Sequence, residues 1–67
     1  MKEIKRKDAE AELTKAGWRI IRQSGKHDVW ASPDGAVAVA VPRHRTISPG
    51  VVRQIAKGLP TTPSGWQ

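Results

Sequence analysis

The side chains best suited to moving a proton at neutral pH are His27 and His44, and both stand in basic surroundings. His27 lies in Ser24-Gly25-Lys26-His27-Asp28-Val29-Trp30, between two apolar segments, and His44 lies between Arg43 and Arg45. A histidine, with an ordinary pKa of about 6.5, can take the proton of a ribose 2′-hydroxyl or protonate a departing 5′-oxygen without a metal. Basic surfaces attract polyanions. Together these features point to RNA as the target and transesterification as the chemistry, with His27 the catalytic candidate. His44 serves as the opposite acid or base if the fold brings it near His27, and otherwise as a loop histidine on a basic rim. Lys26, Arg43, His44 and Arg45 are the candidate phosphate contacts. Arg43 and Arg45, with the amides near Gly50 and Val51, outline a phosphate-binding corner at a helix N-terminus, which Lys5, Arg6 and Lys7 extend. Taken singly, each of these residues is better explained as solvated basic surface.

Twelve Lys and Arg against six Asp and Glu leave the 67-residue chain at +6. Four of the acids, Glu3, Asp8, Glu10 and Glu12, fall near the N-terminus, and none occurs from Gly35 onward. Such a charge favours a phosphate backbone or an acidic protein as the opposing surface. The chain contains no cysteine, which excludes a disulfide framework and a thiolate zinc site. Two histidines and scattered acids show no metal-ligand spacing, so no cofactor is expected. Met1-Lys2-Glu3-Ile4-Lys5-Arg6-Lys7 has charge but no apolar run after it and reads as neither signal peptide nor membrane anchor. A soluble, cytoplasmic protein is the expectation.

The elements that must hold these residues follow from pattern. Asp8 to Ala16 is rich in helix formers, with Ala9, Leu13 and Ala16 at helical spacing and Gly17 as a stop. Trp18 to Arg22 reads as a strand, and Gln23-Ser24-Gly25 as a turn. His27 to Ser32 reads as a second strand, closed by the turn Ser32-Pro33-Asp34-Gly35. Val37, Val39 and Val41 alternate with alanines, a period of two that sets the valines on the core face until Pro42. Ser48 as N-cap and Pro49 as first residue open a helix through Val51, Val52, Ile55 and Ala56, with Gly58 at its end. Helix, three antiparallel strands and helix make an α+β domain with both helices on one sheet face and the other face open. Trp18, Ile20, Trp30, the three valines, Leu13, Val52 and Ile55 are the expected core, with Leu59 closing the last helical turn. If Trp30 faces that core, His27, an odd number of residues away, faces the open side. Residues 60–67 have the composition of a flexible C-terminal tail, which would leave Trp66 free to stack on bases.

Several of these elements, in this order, resemble the HicA family of mRNA interferase toxins. The matching pieces are Leu13-Thr14-Lys15-Ala16-Gly17-Trp18, the turn Gly25-Lys26-His27 into a strand with Trp30, Pro33-Asp34-Gly35, Val41-Pro42-Arg43-His44, and Ser48-Pro49-Gly50 leading to Ile55. The resemblance covers Lys7 to Leu59, so residues 1–59 are expected to form one HicA-like domain. It implies a double-stranded-RNA-binding-like α-β-β-β-α fold and a ribosome-independent endoribonuclease that cuts mRNA and is held inactive by a HicB antitoxin. It also implies that His27, which matches the essential histidine of a Gly-(Ser/Thr)-His turn, is catalytic. Lys26 stands where the family has a small hydroxyl residue. The alternative is a non-catalytic module that uses the same open face and basic rim to bind RNA or an acidic protein.

Overall fold

The computed structural model describes residues 1–66. In chain order its elements are β1 Ile4–Lys5, α1 Arg6–Lys15, β2 Arg19–Gln23, β3 His27–Ala31, β4 Ala38–Pro42, β5 Thr46–Ile47, α2 Pro49–Gly58 and a 3-10 turn, Ser64–Trp66. β2, β3 and β4 form a three-stranded antiparallel sheet in that order, and β1 pairs antiparallel with β5 in a separate two-stranded sheet. The fold is therefore the expected α+β arrangement with a small additional ladder.

Gly17 ends α1 in the way its sequence position suggests. Its φ of 85° lets the Trp18 amide donate to the Leu13 carbonyl at 2.9 Å and its own amide donate to Thr14 at 3.0 Å, the paired bonds of a Schellman cap. α2 starts at Pro49 behind Ser48, whose carbonyl accepts from the Val52 amide at 3.0 Å. The Ser48 side chain makes no capping hydrogen bond, so the cap is one of position only.

In the central sheet Trp30 stands opposite Val39, and Asp28 opposite Val41. This face is the buried one. Trp30, Val39 and Val41 form a single cluster with Leu13 and Ala9 of α1 and Val52, Ile55 and Ala56 of α2. Leu13, Val41, Ile47, Val52 and Ile55 are the largest fully buried side chains, and burial of each such aliphatic group stabilises the fold by roughly 1.5–3 kcal/mol. Val37 and Leu59 are half-buried against the cluster.

Three core positions differ from expectation. Ile20 is 40 % exposed, although it pairs with Trp30. β2 is an edge strand with a register shift between Ile20 and Arg22, so a side chain beside Trp30 has a neighbour on one flank only. Ile47 is fully buried rather than part of a loop, because β5 pairs it with Ile4, itself a core residue. Trp66 is not a free stacking ring: it is 4 % exposed within the core cluster, and its carbonyl accepts from the Lys2 amide at 3.4 Å. A ring of that size gains more from burial against Ile4 and its neighbours than from water. Gln67 of the expected tail lies outside the described residues.

Candidate functional site

His27 opens β3, directly across from Pro42 at the end of β4. Alternation from buried Trp30 sends its side chain to the open face, and it is exposed. The turn before it is closed by Ser24. The Ser24 amide donates to the His27 carbonyl at 2.9 Å, and the His27 amide donates to the Ser24 hydroxyl at 3.2 Å. Only backbone atoms of His27 are used in this closure, which leaves the imidazole unengaged. No side-chain hydrogen bond to the imidazole occurs among the described residues, so no carboxylate orients the ring.

The residue after it behaves differently. Asp28 is 7 % exposed and shares the core face with Trp30. A carboxylate there requires donors, and Arg43 supplies them: Nε donates to Oδ1 at 2.9 Å and Nη2 at 2.7 Å. Gln23 Nε2 donates to the same oxygen at 3.3 Å. Arg43 Nη1 reaches the Gly25 carbonyl at 3.4 Å, and the Arg43 amide donates to the Lys26 carbonyl at 3.0 Å. The hydrogen bonds from Arg43 hold Asp28 below the ordinary aspartate value, while those same bonds raise the arginine. Arg43 thus has a partner that the sequence reading did not give it. The available signal was the parity of Asp28 and Trp30, which puts an acid on the core face of β3 and calls for a cation from a neighbouring strand.

The remaining cations divide between two places. Lys26 is exposed at the tip of the turn beside His27, and His44 is exposed in the segment joining β4 to β5, the segment that Arg43 ties to the Lys26 carbonyl. Arg45 belongs to a second group. Its carbonyl accepts from the Arg6 amide at 2.9 Å, Lys5 pairs with Thr46, and a groove is lined by Lys5, Arg6, Lys7, Glu10, Arg45 and Thr46. Arg6 and Glu10 approach to 3.9 Å across one helical turn. The β1–β5 ladder therefore joins the N-terminal basic run to Arg45, forty residues along the chain from Lys5. The Arg43 guanidinium is spent on Asp28 and Gly25, whereas Arg45 lines the separate groove with Lys5 and Arg6, so the corner they were expected to share is split. The exposed N-terminus of α2 at Pro49 and Gly50 follows directly on β5.

Gly25 sits at the turn tip, where an added Cβ would meet nothing within 4 Å, so its surroundings are open. No three His, Cys, Asp or Glu side chains come together to hold a metal ion among the described residues. No helix among the described residues is long and apolar enough to cross a membrane.

The family model described as HicA toxin of bacterial toxin-antitoxin matches residues 6–59 of the chain. No curated protein and no solved structure matches it significantly. The match spans from the first residue of α1 to just past the end of α2, and the chain belongs to the HicA toxin family.

Proposed function

We propose that this HicA-family chain is a metal-independent endoribonuclease that cleaves mRNA through His27 acting as general acid/base. The observation that carries the proposal is the placement of His27. It is exposed on the open face, fixed through its backbone and free at its ring, beside an exposed lysine and next to the segment carrying His44. In the reaction the ribose 2′-oxygen attacks the adjacent phosphorus and the bond from phosphorus to the 5′-oxygen breaks. The products are a 2′,3′-cyclic phosphate and a 5′-hydroxyl end. His27 accepts the 2′-hydroxyl proton or donates one to the leaving 5′-oxygen, with water completing the other transfer. Lys26 faces the charge that grows on the non-bridging oxygens, and Arg45 and His44 hold flanking phosphates.

Family membership supports a toxin–antitoxin setting. A HicB-like antitoxin with an acidic face would complement this cationic surface and mask the His27 end, in the cytoplasm where mRNA is made. The test is cleavage of purified RNA without ribosomes in EDTA. The wild-type chain should leave 2′,3′-cyclic phosphate ends, and His27→Ala should bind RNA without cutting it. Loss of activity in EDTA with recovery in magnesium, or equal cleavage by His27→Ala, would overturn the mechanism. RNA binding without cleavage by the wild-type chain would favour the non-catalytic module.

A further inference from the structure

We propose that Arg43 is a positioning residue for His27 rather than a phosphate ligand, and that the Arg43–Asp28 pair clamps the turn carrying Lys26 and His27. The proposal rests on the catalytic reading of His27 for its activity arm only. Arg43 touches residues 25, 26 and 28 and so brackets His27 on both sides: the Gly25 and Lys26 carbonyls before it and the Asp28 carboxylate after it. Ser24 alone closes the turn locally. Among the described residues, Arg43 adds the only side-chain hydrogen bonds that bind the turn to the end of β4, fifteen residues from Asp28 in sequence.

The geometry also argues against a phosphate role. Two guanidinium donors end on one carboxylate oxygen at 2.7 and 2.9 Å, and a third nitrogen is spent on Gly25. Pulling the guanidinium onto RNA would leave Asp28, 7 % exposed, with only the 3.3 Å bond from Gln23, which is costly for any ligand to offset. The ion pair also cancels the charge that a phosphate would seek. A lysine in place of Arg43 keeps the positive charge but loses the fork that meets Asp28 and Gly25 together.

The test compares Arg43→Gln, Arg43→Lys, Asp28→Asn and the double variant Asp28→Asn/Arg43→Gln in the full chain. Each is checked for folding by circular dichroism, then assayed for RNA cleavage and for affinity to a fluorescent RNA oligonucleotide. Displacing a catalytic group by a fraction of an ångström lowers kcat, so Arg43→Gln should reduce kcat about ten- to hundredfold while KM and affinity stay within about twofold. Arg43→Lys should fail to restore kcat. The double variant should be no worse than Arg43→Gln, because both changes break one clamp. A phosphate ligand would behave otherwise: affinity would fall with Arg43→Gln, return with Arg43→Lys and rise with Asp28→Asn, and that pattern overturns the proposal. If the wild-type chain cleaves no RNA, the catalytic reading fails by itself, and the clamp is then read from binding and amide hydrogen exchange. Faster exchange at His27 and at position 43 in Arg43→Lys with unchanged RNA affinity supports it. Unchanged exchange with weakened affinity rejects it.

Discussion

The two turns at the ends of β3 belong to one sheet yet spend their side chains in opposite ways. The Ser32–Val37 turn is satisfied from within. The Ser32 hydroxyl donates to Asp34 at 2.6 Å and accepts from the Val37 amide at 3.1 Å, and Asp34 also accepts from the Ala36 amide at 3.0 Å. Gly35 adopts a φ of 74°. Packing continues around it, with Pro33 against Gly17, and Trp18 and Val37 against Gly58. The Ser24–His27 turn instead draws on a distant arginine, and the side chains at its tip, Lys26 and His27, are exposed. A turn held by its own side chains has none left to offer a ligand, whereas a turn clamped from outside can present them. Under the proposed function, that difference would put stability at one end of β3 and RNA chemistry at the other.

The comparison is sharpened most by glycine substitution at each end. A Cβ on Gly58 would lie 2.7 Å from two atoms of the Trp18 ring, a buried ring that cannot rotate away freely. Gly58→Ala should therefore destabilise by about 1–3 kcal/mol in thermal or urea unfolding, despite the better helix propensity of alanine. Gly25→Ala, with nothing in its way and a φ outside the left-handed region, should stay within about 0.5 kcal/mol. A large loss of stability at Gly25 would erase the distinction.

Lys26→Ser is the next test. It should leave the melting temperature unchanged, weaken RNA binding severalfold and reduce the slope of log affinity against log salt by about one. An unchanged salt slope would remove Lys26 from the RNA surface.

The smallest expected effect is in acid. Asp28 lies below its ordinary value of 3.8 because of its hydrogen bonds to Arg43. A carboxylate whose folded pKa is lowered stabilises fully above its unfolded value and loses that contribution as pH falls through the folded one. Asp28→Asn should therefore flatten the fall of the melting temperature below about pH 4 and leave the curve above it parallel to the wild type. Asp34 is lowered too, chiefly by the Ser32 hydroxyl, so some of the acid limb belongs to the other turn and should survive in Asp28→Asn. A wild-type acid limb in that variant would show that the clamp contributes nothing to pH dependence.

The legibility of these features in the sequence follows their physical scale. The valine alternation, Pro33-Asp34-Gly35, Ser48-Pro49 and Gly17 each act within a few residues, and each is found where the pattern put it. The β1–β5 ladder has two residues on each strand, too few for a period to register. Trp66 is buried from within a segment rich in Pro, Thr, Ser and Gly, where composition describes the surroundings and not the one ring that docks. Arg43 reads from sequence as a phosphate contact because its charge is local, while the Asp28 it pairs with is fifteen residues away. The exposed position of His27 followed from counting residues back from Trp30. The separation of Arg43, held on Asp28, from Arg45, beside the N-terminal basic run, required the register of β3 on β4 and the pairing of β1 with β5.

The most direct test of the division between the two turns measures melting temperature and RNA cleavage side by side in His27→Ala and Ser32→Ala. His27→Ala should melt as the wild type does and lose at least about a hundredfold in cleavage. Ser32→Ala, which leaves Asp34 and the Val37 amide without their shared partner, should melt several degrees lower and retain wild-type cleavage per folded molecule. Cleavage retained by His27→Ala, or lost by folded Ser32→Ala, would contradict the assignment of function to one end of β3 and stability to the other.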